Sequence, residues 1–261
     1  MKRIHLFEFE DLPGFPGFLR NYMTDFLQFL SNHTPLFDPA VPILAQSLKR
    51  CRTVRIVDLG SGGGGGLLRL NASLQKQVPG LQWTLTDLYP NLDAFRLAQA
   101  KTGNMEYVSE PVDARQVPES LRGLRTLFLC LHHFRPEDAR KILQDALDAG
   151  QGIAVFEGQE RSLPSLVAML LSPLSVWLTT PFIRPFRWGR LLFTYLLPLV
   201  PLFTLWDGVV SALRTYSVPE MEALIASLDG ADRYVWETGR ERSGPGVMLY
   251  LTGVPKNGAT D

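Results

Sequence analysis

The sequence predicts an α/β chain: a doubly wound, mostly parallel seven-stranded sheet with an antiparallel last strand. It adds an N-terminal helical cap and an apolar helical insertion. Three observations lead there. Five short apolar runs alternate with helical patterns between residues 54 and 157, and polar residues gather at the C-terminal ends of those runs. The chain then closes on two further apolar runs joined by Arg242-Ser243-Gly244-Pro245-Gly246, a hairpin signature. A sheet of this kind binds ligands at its carboxyl edge, beside the point where strand order reverses.

Length and composition narrow the class. The 261 residues suit one large domain, or a domain carrying an insertion, and 46% apolar residues suffice for a sizeable core. Basic and acidic residues balance at 26 each, so no polyanionic partner is implied and nucleic acid is not expected as a substrate. Two cysteines, Cys51 and Cys130, make no disulfide framework and fit a reducing compartment. Acids inside the first apolar stretch, MKRIHLFEFEDLPGF, argue against a signal peptide. The expected location is cytoplasmic, with membrane association open.

Taken in order, residues 1–50 read as an arm and a helical cap. Met1–Pro16 is an extended arm, and Phe18–Leu30 is a helix with Leu19, Tyr22, Met23, Phe26, Leu27 and Leu30 on one face. Asp38–Lys49 is a second helix. Residues 51–160 form the core. Its strands are Val54–Val57, Leu81–Thr86, Met105–Val108, Leu124–Leu131 and Gly152–Phe156, separated by helices at Leu67–Lys76, Pro90–Lys101 and Glu137–Ala149. Residues 161–215 are the apolar insertion. Residues 216–261 supply a helix, Pro219–Leu228, and the strands Tyr234–Arg240 and Val247–Thr252.

The first strand ends at Asp58 and breaks into six glycines within Gly60–Gly66. Glycine accepts φ > 0 and lets a ligand lie against the backbone, and the following helix directs free N–H groups at it. A carboxylate at the strand tip opposes a phosphate but favours an ammonium. Asp87, at the tip of the second strand, stands 21 residues beyond Gly66, a spacing suited to a carboxylate that accepts from a ribose diol.

Asp58-Leu59-Gly60-Ser61-Gly62-Gly63-Gly64 resembles the acidic-x-Gly-x-Gly-x-Gly motif of class I S-adenosylmethionine-dependent methyltransferases. The resemblance covers about Val54–Glu157 and Pro219–Val254. It implies a Rossmann-like fold and S-adenosylmethionine as cofactor, held by Asp58, Gly60, Ser61, Gly62, Gly64, Asp87, Leu88, Asp113, Ala114 and Leu131. Asp113 would sit near the adenine amino group. Gly60, Gly62 and Gly65 also satisfy the dinucleotide pattern G-x-G-x-x-G, which keeps an NAD(P)-dependent oxidoreductase as the alternative. A non-catalytic scaffold of the same fold, binding the nucleoside without turnover, is a third reading.

Methyl transfer needs alignment and exclusion of water, and a general base only where the acceptor holds its proton near neutral pH. His132 and His133 follow the fourth strand and are the catalytic candidates, His133 foremost. Glu157, Asp207 and Tyr216 are further polar candidates. Tyr22 could touch the ligand from the cap but reads as a core aromatic. No zinc or calcium motif occurs, and no metal is expected.

The insertion holds no charge over Ser162–Ile183, then Arg184, Arg187 and Arg190, then again none over Leu191–Trp206. Pro164, Pro173, Pro181, Pro198 and Pro201 interrupt it, so a transmembrane span is disfavoured. Three readings stay open. It is a lid forming an apolar substrate pocket, an element resting on a membrane surface through 162–206 with the arginines near phosphates, or a homodimer interface. The first two point to a hydrophobic small-molecule or lipid-like acceptor.

Overall fold

The computed structural model describes residues 1–63, 65–244 and 246–256. Strands β1 (Arg55–Leu59), β2 (Gln82–Thr86), β3 (Met105–Tyr107), β4 (Leu124–Phe128), β5 (Ile153–Glu157), β6 (Tyr234–Ser243) and β7 (Gly246–Pro255) form one sheet, ordered β3-β2-β1-β4-β5-β7-β6. The first five pair in parallel. β7 runs antiparallel between β5 and β6. Strand order reverses between β1 and β4, which opens a crevice at their carboxyl ends. All five residues of β5 are buried, as a strand covered on both faces requires.

Helices α1 (Gly17–His33), α2 (Ala40–Cys51), α3 (Leu68–Leu74), α4 (Leu92–Thr102) and α5 (Pro136–Asp148) precede the insertion. The insertion holds α6 (Leu163–Leu170), α7 (Ser172–Thr179), α8 (Trp188–Leu191) and α9 (Leu199–Arg214), and α10 (Val218–Ala226) returns to the sheet. Leu44, Leu70 and Phe95 of α2, α3 and α4 pack on the sheet face that carries Ile56, Trp83 and Phe156. Ile142, Leu143 and Met221 of α5 and α10 cover the other face, on Val57, Leu127 and Val155. A third cluster joins α1 to the insertion through Phe26, Met23, Val176 and Val200.

Several expected boundaries move for local reasons. The fourth strand stops at Phe128, short of Leu131, because Leu129 turns into the left-handed region at φ 51° and Leu131–His133 coils into a 3-10 turn. The helix behind the glycine run begins only at Leu68, after a 3-10 turn at Gly65–Leu67, since glycine is a poor helix former. The final hairpin is longer than expected. Its pairing reaches Ser243 and Gly246, where the Ser243 hydroxyl donates to the Pro35 and Leu36 carbonyls. Gly64 and Pro245, both part of expected motifs, lie outside the described residues.

The N-terminal arm is less extended than its sequence suggests. Phe9–Asp11 forms a 3-10 turn and Glu8 is fully buried. Among the described residues no single helix is long and apolar enough to cross a membrane.

Candidate active site

A cavity of about 370 Å³ opens at the carboxyl ends of β1, β2 and β4, the crevice that the sheet order predicts. Asp58 lines it from the tip of β1. Asp58 pairs in register with Thr126 of β4, so the Thr126 hydroxyl donates to Oδ1 at 2.6 Å, while the Ser61 hydroxyl donates to Oδ2 at 2.6 Å. Both bonds favour the carboxylate, yet burial outweighs them and nearby Asp87 adds to it, so Asp58 is pushed up to about 7. Among the described residues it has hydroxyl partners and no cation beside it.

The turn itself needs glycine at two points. Gly60 and Gly62 adopt φ of 68° and 54°, and a Cβ on Gly60 would stand 2.5 Å from Cys130 Sγ. Asp87 locks this turn to β2. Its Oδ2 accepts from the Gly62 N–H at 2.7 Å and its Oδ1 from the Tyr89 N–H at 2.8 Å. Each oxygen retains a second lone pair for a hydroxyl donor.

Leu88, Asp113 and Ala114 also line the cavity. Asp113 is held below the usual carboxylate range, first by its hydrogen bonds from Arg115, which engages both oxygens. Leu131 does not reach the cavity. Because β4 ends early, Leu131 turns into the core beside α5, and Leu129 and Cys130 take its place on the wall.

The two histidines divide. His132 is buried away from the cavity, its Nδ1 2.7 Å from Glu157 Oε2 and its backbone N–H donating to Glu157 Oε1 at 3.0 Å. His133 lines the cavity, with Nδ1 2.8 Å from Asp11 Oδ1 and 3.3 Å from Glu8 Oε2, and Nε2 3.7 Å from Glu10 Oε1. Burial disfavours its charge, but Glu8, Asp11 and Glu10 prevail and lift it to about 10. These acids hold His133 toward its protonated form at neutral pH.

Those three acids escaped sequence reasoning. The signal was present in FEFED, where acids alternate with aromatics that need burial. Phe9 packs on Phe203 with ring centroids 4.5 Å apart, and that contact carries the acids down onto His133. Asp207 of α9 accepts from the backbone N–H groups of Phe9 at 2.8 Å and Glu10 at 3.2 Å. Arg214 lies 2.9 Å from Glu8 Oε1, bonds Asp11 Oδ2 at 2.6 Å and donates to the His133 carbonyl at 2.8 Å. Ligand atoms of Glu8, His132 and His133 fall within 4.8 Å of one another, a spacing open to a metal ion.

No protein-family model and no curated protein matches the sequence. Solved structures do match. The plantazolicin methyltransferase BpumL, in complex with S-adenosylhomocysteine, superposes with TM-score 0.53 at 14% identity over 92% of this chain and 88% of its own. The fold is that of the class I methyltransferases. An O-methyltransferase family protein from Burkholderia thailandensis gives TM-score 0.49 at 18% identity over 87% of this chain and 57% of that one. Human N-acetylserotonin methyltransferase with S-adenosylmethionine gives 0.48 at 14% identity, over 84% and 51%. The chain spans little more than half the length of these last two proteins.

The arm, α1 and the insertion lie to one side of the sheet's carboxyl edge or beyond it. The arm and α1 reach the cavity through Glu10, Asp11, Arg20, Asn21 and Thr24. No residue of 162–206 lines it. α1 stands between, its other side packed on the insertion through Tyr22, Met23 and Phe26, so the insertion does not form the cavity wall that the lid reading expects. Tyr22 is a core aromatic. Glu157 and Asp207 hold His132 and the arm, and the Tyr216 hydroxyl donates to the Phe134 carbonyl at 2.8 Å.

Proposed function

We propose that this chain is an S-adenosylmethionine-dependent methyltransferase acting on a hydrophobic small-molecule or lipid-like acceptor. The observation that carries the reading is Asp58. A buried carboxylate raised to about 7, facing a cavity beside the glycine turn, calls for a cationic ligand. A pyrophosphate would meet repulsion there, which weighs against the dinucleotide alternative.

The residues fit the cofactor. Asp58 would meet its ammonium, the spare lone pairs of Asp87 its ribose hydroxyls, and Asp113 with Ala114 its base, while Gly60, Ser61 and Gly62 leave room for its backbone approach. When bound, the cofactor supplies an electrophilic methyl on a sulfonium centre. The chain contributes position. The arm covers one side of the cavity with Glu10 and Asp11. Where the acceptor needs to lose a proton, Glu10 is the better-placed group. Burial and neighbouring Glu8 push it up to about 8, against the pull of His133, so its basic form appears near neutral pH at the cavity wall. Protonated His133 then stabilises the carboxylates around it.

Calorimetry with S-adenosylhomocysteine and with NADP tests the reading. Heat with the first alone supports it, and heat with the second alone refutes it. Binding of the nucleoside with no transfer to a panel of apolar hydroxyl and amine acceptors would favour the scaffold reading.

A further inference from the structure

We infer that the outward face of the insertion, centred on the loop 181–188, is a docking surface for an anionic lipid bilayer. The delivery of an acceptor from that bilayer rests on the methyl-transfer reading; the docking itself does not.

The face is apolar beyond what a lone protein in water presents. α6 buries none of its residues, although five of its eight are Leu, Val or Met, and α7 buries only Val176 while carrying Leu174, Trp177 and Leu178. Leu163, Leu170 and Leu178 are 72%, 60% and 65% exposed. The loop between α7 and α8 goes further. Phe182 and Trp188 are 67% and 77% exposed, and Phe186 meets Trp188 edge-on at 5.1 Å.

This protrusion is held in place from below. Arg190 is buried, ion-pairs with buried Asp25, and donates to the carbonyls of Ile183 at 2.8 Å and Pro185 at 2.7 Å. Of the three arginines expected near phosphates, Arg190 is thus internal. The rings it supports are displayed to solvent by a braced loop.

Charge selects the occupant. Between Arg161 and Asp207 the sequence has Arg184, Arg187 and Arg190 and no acid. With Arg190 inside, the face offers exposed Arg184, half-buried Arg187 and several aromatic rings, the chemistry of an interfacial anchor facing lipid phosphates. A second copy meeting this face across a two-fold axis would bring arginine to arginine with no acid from the segment to answer it.

The backbone agrees with lying on a bilayer and not through one. The two apolar stretches bend by 42° between α6 and α7 and by 77° before α9. Groups freed at those bends need water, which the headgroup region supplies and hydrocarbon does not. Trp177 and Tyr195 satisfy their polar tips on the backbone, donating to the Thr194 and Trp177 carbonyls, and leave their rings outward.

Flotation of the full chain with vesicles tests this. With phosphatidylcholine and phosphatidylglycerol in equal parts the chain should float, and with phosphatidylcholine alone it should float markedly less. The pair Phe182→Ser with Trp188→Ser should lower partitioning about tenfold or more. Arg184→Glu with Arg187→Glu should remove the preference for anionic vesicles. S-adenosylhomocysteine affinity, measured on each variant, should equal that of the parent chain, which keeps a failed docking result separate from a failed cofactor reading. A parent chain that does not float overturns the inference, as does flotation that the two ring substitutions leave unchanged. Sedimentation as a dimer that those substitutions dissolve, with no flotation, would assign the face to a second copy and likewise overturn it.

Discussion

Asp58 couples ligand charge to a proton. Burial raises it to about 7, and an ammonium placed beside it would restore the carboxylate. Affinity for S-adenosylhomocysteine should therefore fall as pH drops below about 7, by up to about tenfold per pH unit. Asp58→Asn should flatten that slope; calorimetry at two pH values on either side of neutrality reads both. Asp87→Ala should weaken the same ligand by about 1–3 kcal/mol, the range for losing a charge-assisted hydrogen bond in a buried site. Glu10 sets a third expectation. If its carboxylate takes the acceptor's proton, the transfer rate rises with pH through about 8, and Glu10→Gln lowers the rate and removes the rise. Of these residues, Asp58 and Asp87 were legible in the sequence because strand tips and glycine spacing locate them. Glu10 and Asp11 were not. The alternation in FEFED signals that the arm is buried, but nothing local tells that it will fold against His133, more than a hundred residues away.

The arm is the element whose behaviour decides access to the cavity. Asp207 anchors its 3-10 turn, Arg214 ties its acids, and Arg3 stacks on the Tyr216 ring at 4.0 Å while donating to the Phe134 carbonyl at 2.8 Å. Asp207→Ala strands two backbone N–H groups and should release the turn, so limited proteolysis should cut before α1 faster than in the parent chain. Equal cutting rates would mean that the aromatic contacts of Phe9 hold the arm alone. At this scale the strands and helices of the core were readable to within a few residues, since each follows a two- or 3.6-residue pattern. The end of β4 was missed because the left-handed turn at Leu129 carries no glycine to announce it. The insertion was recognised as apolar, but composition alone does not orient it, and α1 separates it from the cavity that one of its three readings had it cap.

For the whole molecule, the buried charges give a direction to stability. His133, raised from 6.5 to about 10, contributes stability that is complete below 6.5 and is lost as pH rises through about 10. Glu10, raised from 4.5 to about 8, binds its proton more tightly in the folded chain and so also disfavours the native state as pH rises toward 8. Asp11 runs the other way. It lies below its usual range because hydrogen bonds and charges from His133 and Arg214 overcome its burial, and its contribution is lost only in acid. The thermal midpoint should thus fall between pH 7 and about pH 10, and a midpoint that rises over that interval would contradict the charge arrangement at the arm.

The seven strands were foreseen from alternation and the closing hairpin, the antiparallel last strand from the family resemblance, and with them the edge where a ligand sits. What binds at that edge is the central claim, and one titration reaches it directly. Calorimetry of the full chain with S-adenosylhomocysteine should give saturable heat that Asp87→Ala weakens, and NADP should give none. Heat with NADP and silence with S-adenosylhomocysteine would contradict the account.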